Sequence, residues 1–568
     1  MCAKTGRILA RGSPFWHTWN VTLSRTLVCA LALAATLLAG CQPNVSVAPR
    51  LAPNQTLRVM LEDQPATLDP GQTQYTFETG VLRVIAEPLL KPKPNLDGVT
   101  PAAAQSYEVN GSGTAYVFHL RPNAKYWDGT PVTAQDFVYA WKRLIDPRLA
   151  APSETLFADA VLNGQRVSLM DPQRDASTID AALGTLGLKA VDDFTFQVQL
   201  ERPDPAFIWL AALPAGAPMR KDVVTKNGDK WATAPETLVT NGPFKVTEMV
   251  KDDHITVDRN QNYWGAKPTL TRINFQIVKD GAAALTKYRN GELDEVAVQP
   301  AQAATVAADD ALTRQLVKTP NLEVFWIVFR VDSPPLDNAK LRLAIAQAID
   351  RDAFVSQVLA GQGLTLSTFI PKGMDGYNPR LTAQKFDVAQ ARASLAASGL
   401  SAKQVSVTFS FDQSSDFRKA TAKFIHDQLV NNLGINVVLQ GLDPNTLASN
   451  RSTGQFQVSG PDGWSADYPD QADWYDIFLT TSSLNVALWQ NQQYDNFVRV
   501  ARTDTDPIRR AQEYQQAQSI LVGDAPVAFL AQTVSWYLVR PYVQGVTTSP
   551  VDEWPGATAP GSLQIAPH

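Results

Sequence analysis

Histidine and cysteine are the residues of this chain whose spacing most directly reports catalytic or metal chemistry, and both are sparse. Five histidines stand at positions 17, 119, 254, 426 and 568, and three cysteines at positions 2, 29 and 41. No H-E-x-x-H, G-x-S-x-G or P-loop pattern occurs, and no pair of carboxylates is spaced as an acid and a base. The sequence therefore predicts no enzyme, no cofactor and no metal site, with a hydrolase as the weaker alternative.

Cys41 is the one cysteine whose surroundings in the sequence indicate a chemical role, because an apolar run precedes it. An apolar run extends from Thr26 to Leu38, which is shorter than the roughly 20 residues of a membrane-spanning helix. It indicates a signal peptide over residues 1–40. The run ends in Leu-Ala-Gly-Cys, which matches a bacterial lipobox. Cys41 is therefore expected to carry a lipid after cleavage and to hold the protein on a membrane.

Residues 41–54 are rich in Pro, Asn, Ser and Ala and predict a flexible, lipid-anchored tether. The expected location is the cell envelope: an exported chain anchored in the periplasm or on the outer face of the cytoplasmic membrane. Residue 42 is Gln and not the aspartate that would retain a lipoprotein at the inner membrane of a two-membrane bacterium. The sequence therefore does not decide which membrane holds the anchor. With only Cys41 left after cleavage, the mature chain can form no internal disulfide.

The body of the chain has the composition of a globular protein. It has 568 residues, of which 45% are hydrophobic and 18% charged, with a formal net charge of −5. This length predicts about two to four domains or lobes. The small negative charge argues against nucleic acid as a partner.

Strands and helices alternate along the body. Period-two alternation of apolar residues predicts half-buried strands at 194–200, 272–278 and 405–411. A capping-box pattern starts a helix after Thr133, and Asp387 is expected to cap another that ends near Gly399. A third helix is predicted over 417–433, followed by a strand over 435–440. This alternation indicates the α/β class.

Several segments, in a fixed order over residues 55–550, resemble the extracellular solute-binding proteins of family 5, the oligopeptide and dipeptide class. They are Thr67–Pro70, Tyr116–Pro147, Asn241–Phe244, Arg259–Trp264, Leu285–Asp294, Asp337–Asp352, Phe369–Pro371 and Gly463–Tyr468 (GWSADY). The resemblance implies a two-lobed periplasmic-binding-protein (type II) clamp with an extra inserted domain. The implied limits are 55–86, 211–318 and 526–568 for lobe I, 87–210 for the inserted domain and 319–525 for lobe II.

The same resemblance implies the substrate-binding component of an ABC importer, which takes a short peptide between its lobes. The expected partners are the peptide, the permease and ATPase subunits, and the membrane through Cys41, with the protein itself a monomer. The aspartate of the GWxxDY segment, here Asp467, is expected to bind the ammonium group of the peptide. The remaining expected peptide-binding residues are Trp464, Gly463, Gln74, Tyr75, Phe325 and Trp326.

One departure from the family pattern concerns the other end of the peptide. Some relatives carry an arginine just before the GWxxDY segment, whereas this chain has Ser459-Gly460-Pro461-Asp462. Capture of the peptide carboxylate must then come from elsewhere, or the ligand differs. The alternatives are the same clamp for a non-peptide solute (a nickel complex, an opine or an oligosaccharide), or a surface sensor that presents its ligand.

Overall fold

The structure is a computed structural model that describes residues 50–568; Cys41, the signal peptide and most of the tether lie outside them. The strands, β1 to β19 in chain order, are Thr56–Leu61, Leu90–Pro92, Val99–Pro101, Ala104–Val109, Ala115–Leu120, Leu188–Asp192, Thr195–Gln199, Phe244–Val250, His254–Arg259, Arg272–Ile277, Glu295–Ala297, Leu316–Phe329, Gly363–Thr365, Ser406–Asp412, Asn436–Leu442, Val458–Ser465, Val527–Val539, Val543–Gln544 and Gln564–Ile565.

The α-helices, α1 to α18 in chain order, are Thr76–Ile85, Ala134–Ile145, Glu154–Ala160, Gly164–Ser168, Ile179–Leu183, Phe207–Leu210, Lys221–Asn227, Gly281–Arg289, Pro300–Ala307, Asp310–Thr313, Ala339–Gln347, Arg351–Gln357, Val388–Ala397, Asp416–Leu433, Pro444–Thr453, Gln471–Tyr475, Gln492–Thr503 and Pro507–Asp524. The α/β class is confirmed. Between residues 50 and 568 no helix is both long and apolar enough to cross a membrane.

The local predictions are confirmed to within one or two residues. The predicted strands correspond to β7, β10, β14 and β15, and the predicted helices to α2, α13 and α14. At the start of α2 the backbone N–H of Thr133 donates to Asp136 Oδ2 at 2.8 Å. At the start of α13 the N–H of Gln390 donates to Asp387 Oδ1 at 2.9 Å. Both contacts satisfy N–H groups that a helix terminus leaves free.

The central feature is a mixed sheet in which β15-β14-β16-β12-β17-β11-β1-β10-β9-β8 are neighbours in that order, with β13 added on β17. Separate apolar clusters pack on its two halves. One contains Phe329, Ile345 and Ile425, and the other contains Leu285 and Leu538. The sheet therefore runs continuously from one half of the protein to the other.

The long strands β12 and β17 connect the two halves, and their pairing is interrupted midway. Pro320 pairs with Val534, but the next paired residues are Val324 and Gln532. Three residues of β12 (321–323) thus face one residue of β17, an irregularity of the β-bulge kind that locally interrupts the ladder. The early part of β12 pairs with the part of β17 beside β11, and the later part pairs with β16.

A separate four-stranded sheet, β4-β5-β7-β6, lies within residues 104–199, inside the segment 87–210 that is predicted to be the inserted domain. Trp141 of α2 packs against it with its ring centroid 5.4 Å from that of Phe196. Its indole Nε1 donates to the Gly216 carbonyl at 3.0 Å. Trp141 is therefore a core residue, while the domain limits stay a prediction.

The family motifs are linked to one another by buried polar contacts. Asp69, from the TLDP segment, accepts from Arg143 Nη1 and Nη2 at 3.0 and 2.6 Å and from Trp231 Nε1 at 2.9 Å. Asn241 exchanges two hydrogen bonds with the backbone of Glu87, at 2.8 and 2.9 Å. These contacts of Asp69 and Asn241 stabilise the fold.

Candidate ligand-binding cleft

A cleft of about 770 Å³ opens where the two halves of the sheet meet. Its lining comes from β1, α1 and the residues just before it, segments within 152–156 and 213–215, β11, the interrupted part of β12, the end of β16, β17 and residues 550–554. The volume falls in the range of about 300–1,000 Å³ that small-ligand sites occupy. This cleft is the candidate binding site.

Three of the predicted site residues line the cleft. Gln74 and Tyr75 lie at the start of α1, and Asp467 follows β16. The fold thus brings together two segments almost 400 residues apart in the chain. Tyr75 is 56% exposed and stacks on Phe77 with the ring centroids 5.3 Å apart.

The other four predicted residues lie outside the cleft lining. Trp326 is 3% exposed and packs among aromatic side chains, including Phe529 at a centroid distance of 6.2 Å. Phe325 pairs with Gly463 across β12 and β16. A Cβ atom on Gly463 would lie 2.7 Å from the Val324 carbonyl oxygen, so close strand packing accounts for this glycine. Trp464 is partly buried beside the cleft.

Asp467 is held by a second carboxylate. The buried Asp473 accepts from the Asp467 backbone N–H at 3.1 Å and from Trp464 Nε1 at 2.9 Å through the same Oδ2 atom. The Asp467 side chain itself is exposed to the cleft. The surrounding protein still removes part of its hydration, which raises its pKa. Burial and the nearby Asp467 charge raise the pKa of Asp473 well above its usual value.

Trp464 is therefore expected to act on binding indirectly, by positioning Asp473. Replacing it with phenylalanine removes one hydrogen bond of about 0.5–1.5 kcal/mol, so ligand affinity should fall by about two- to tenfold. Calorimetric titration of the purified variant measures this. Trp127→Phe is the matched control, because Trp127 donates to the Leu238 carbonyl and does not line the cleft. Equal losses in both variants would show that Trp464 has no special relation to the site.

The backbone N–H groups of Gln74 and Tyr75 are already bound. Both donate to Glu78 Oε2, at 2.8 and 3.1 Å. This carboxylate occupies the place that an anion would take at the start of a helix. The segment can therefore offer a ligand the Tyr75 ring and the Gln74 side chain more readily than its N–H donors.

Sequence reasoning missed most of the polar lining. Asn321 and Glu323 come from the interrupted part of β12, Glu295 from β11, and Asp552 and Glu553 from the 550–554 segment. Alternation of Leu322 and Val324 with Asn321 and Glu323 is a signal that could have identified the first two. The 550–554 segment has no periodic pattern, and only the fold places it at the cleft.

The stretch 459–462 contains no arginine, but the fold places two arginines from other segments beside it. Arg418 Nη1 donates to the Pro461 carbonyl at 2.6 Å, and Arg451 forms an ion pair with Asp462. Neither lines the cleft. Among the described residues that do, Arg83 is the one basic side chain, and its Nε lies 2.6 Å from Glu553 Oε2.

Comparison with known proteins identifies the fold and the family. Residues 98–485 match the model of the bacterial extracellular solute-binding proteins, family 5. The probable deoxycholate-binding periplasmic protein YgiS of Escherichia coli K12 is 31% identical over 87% of this chain and 91% of its own length. The periplasmic murein peptide-binding protein MppA of the same organism is 30% identical over 93% of this chain and 96% of its own length.

Solved structures of family members support the same assignment of fold and family. The unliganded open form of MppA matches with a TM-score of 0.79 at 28% identity, covering 92% of this chain and 99% of that one. A second structure of Escherichia coli MppA gives 0.70 at the same identity, covering 91% and 100%. OppA of Haemophilus influenzae in complex with the peptide RPPGFSPFR gives 0.68 at 27% identity, covering 91% and 100%. The expected two-lobed α/β clamp is confirmed, and the chain belongs to family 5 of the bacterial extracellular solute-binding proteins.

Proposed function

We propose that this protein is the solute-binding component of an ABC importer and that it captures short peptides in the cleft. The observation that carries the proposal is Asp467, a carboxylate exposed at the cleft wall and fixed through its own backbone by the buried Asp473. A peptide ammonium group needs one such partner for a charge-assisted hydrogen bond. Gln74, Tyr75, Asn321 and Ser535 offer polar or aromatic contacts to the rest of the peptide.

Hinge closure of the two lobes supplies the mechanism. The TM-score of 0.79 against the unliganded open form of MppA supports an open arrangement here. Closure over a peptide removes water from Asp467 and so strengthens its attraction to the ammonium group. The closed form is then the one that the permease recognises, and ATP hydrolysis by the partner subunits drives release.

Export and anchoring complete the proposal. Relatives with the same family fold are named periplasmic proteins, which supports an envelope location. The lipobox at Cys41 is a sequence prediction. A lipid there would keep the binding protein close to its permease.

A bile-acid ligand is the second candidate, because the relative YgiS is named a probable deoxycholate-binding protein. Deoxycholate carries a carboxylate. The cleft is lined by six acidic side chains and one basic one, so it would repel this anion. The charge of the lining therefore favours a ligand with an ammonium group.

Mass spectrometry of the purified, lipidated protein tests both parts of the proposal. Small molecules released by denaturation are expected to be peptides of two to five residues with mixed side chains. The N-terminal fragment of the same sample is expected to begin at a lipid-modified Cys41. A single non-peptide compound would overturn the peptide proposal, and an unmodified Cys41 would overturn the anchoring proposal. An empty eluate would lead to binding titrations with synthetic tripeptides, in which no binding also counts against the peptide proposal.

A further inference from the structure

The charge of the cleft is strongly one-sided. Its acidic lining residues are Glu62, Glu295, Glu323, Asp467, Asp552 and Glu553. The one basic lining residue in the described chain, Arg83, is only 13% exposed and is paired with Glu553. A single carboxylate would suffice for a peptide ammonium group, so the remaining acidic groups need another explanation.

Glu295 differs from the other acidic residues of the lining because it is buried and one of its carboxyl oxygens has no hydrogen-bond donor. The residue is 1% exposed and lies in β11, between β1 and β17. Its Oε1 atom has no hydrogen-bond partner among residues 50–568. Burial raises its pKa well above the usual range, and the charges of Asp552 and Asp294 raise it further. An unpaired buried carboxyl group is costly and uncommon in native proteins.

Other carboxylates of the cleft are satisfied from within the protein. Asp552 accepts from the backbone N–H of Ser549 at 2.7 Å and of Thr558 at 2.8 Å. Glu323 Oε2 accepts from Thr533 Oγ1 at 2.8 Å. Each of these two carboxylates has a donor of its own, whereas Glu295 Oε1 has none among residues 50–568.

The acidic groups also lie close enough together to act on one another. Burial raises the pKa of Tyr537, and the charges of Glu295, Glu62 and Glu553 raise it further. The Tyr537 hydroxyl donates to the Glu553 carbonyl at 3.1 Å, and this hydrogen bond links β17 to the 550–554 segment. The cleft wall near β11 therefore holds a concentration of acidic side chains.

We propose that the cleft selects peptides with a basic side chain, and that Glu295 accepts the hydrogen bonds of the lysine ammonium or arginine guanidinium group. This inference rests on the proposed function and names its substrate class. Asp467 binds the peptide N-terminus, and Glu295 with its acidic neighbours binds the side chain. An ammonium or guanidinium group supplies both the missing donor and the missing positive charge.

Calorimetric titration of the mature protein with four series of tripeptides tests this. The series place lysine, methionine, glutamate or alanine in turn at each of the three positions of an otherwise alanine peptide. Methionine is the neutral control because its side chain is similar in length to lysine. At the best position, lysine is expected to bind about tenfold tighter than methionine, equivalent to roughly 1.4 kcal/mol. Glutamate is expected to bind weakest, and the lysine advantage should shrink as salt is added.

The variant Glu295→Gln separates the role of the charge from that of the fold. It should remove the preference for lysine over methionine while methionine peptides bind within about threefold of wild type. It should also raise the melting temperature of the free protein, because the variant no longer buries an ionisable group without a partner. Glu292→Gln is the matched control, since Glu292 is nearby in sequence but exposed, and it should change neither property.

The outcomes distinguish this inference from the proposed function. Equal affinity for lysine and methionine peptides would overturn the selectivity and leave peptide capture standing. Binding of spermidine but of no peptide would keep a cation site at Glu295 and overturn peptide capture. Retention of the lysine preference in Glu295→Gln, with its fold intact, would assign the selectivity to other carboxylates and overturn the role of Glu295.

Discussion

Replacing Asp467 with alanine is expected to weaken peptide binding by about 100-fold or more. On closure the variant would bury a peptide ammonium group without its partner, and removal of one partner from a buried charge pair costs about 3–5 kcal/mol. Titration of wild type and variant with the same tripeptide measures the loss. Asp416→Ala is the control, because Asp416 is 97% exposed at its side chain and does not line the cleft. Binding within about threefold of wild type would contradict the assignment.

The pH dependence of binding gives Asp467 a second test. The ammonium group binds the ionised carboxylate, and the pKa of Asp467 is raised above its usual value in the free protein. Affinity is therefore expected to be full above this raised pKa and to fall as the pH is lowered through it. Asp467→Asn should remove this dependence as well as most of the affinity. An unchanged pH profile in this variant would assign the titration to another group.

Replacing Asp69 with alanine is expected to lower the free energy of unfolding by about 3–5 kcal/mol. Asp69 is 1% exposed, and the change would leave Arg143 and Trp231 without their acceptor. Urea unfolding followed by circular dichroism measures the change. This measurement tests whether the TLDP segment (Thr67–Pro70) stabilises the fold rather than binds the ligand.

Asp97→Ala is the control for this stability measurement. The Asp97–Lys93 pair is largely exposed, with the two side chains 57% and 42% accessible, and such surface pairs contribute little to stability. Equal midpoints for the two variants would show that the buried pair of Asp69 and Arg143 contributes little. Refolded Asp69→Ala protein should still bind peptide, because Asp69 does not line the cleft.

Local patterns predicted the elements of the fold, and the family resemblance predicted three residues of the cleft lining, Gln74, Tyr75 and Asp467. The helix that starts at Ala134 and the strand Thr195–Gln199 follow from capping chemistry and period-two alternation. Asp467 followed from the resemblance alone. These are features that a few consecutive residues determine.

The remaining cleft residues depend on contacts between distant segments. Glu295 stands one residue beyond the recognised block that ends at Asp294, and nothing local distinguishes the two. Asp294 receives the Arg58 side chain, with its Nε 3.0 Å from Oδ2, whereas Glu295 lines the cleft. The pairing of β11 with β1 and β17 determines that Glu295, and not Asp294, lines the cleft.

The placement of Phe325 and Trp326 shows a second limit. The run Val324–Phe329 is apolar throughout, because the middle of a sheet covered on both faces has no polar side. Alternation then gives no information about which residue faces the cleft. Trp326 lies in the core and Phe325 contacts Phe417 at a ring-centroid distance of 5.3 Å.

The interruption between β12 and β17 has a consequence for how this protein can evolve. Asn321, Glu323 and Ser535 belong to the strands that cross between the lobes and also line the ligand cleft. A substitution there alters the contacts to cargo and, at the same time, the fraction of molecules that adopt the closed form before cargo arrives. Apparent affinity depends on that fraction as well as on the contacts. New cargo preferences should therefore arise more readily through changes in β11 and residues 550–554, which are free of this double constraint.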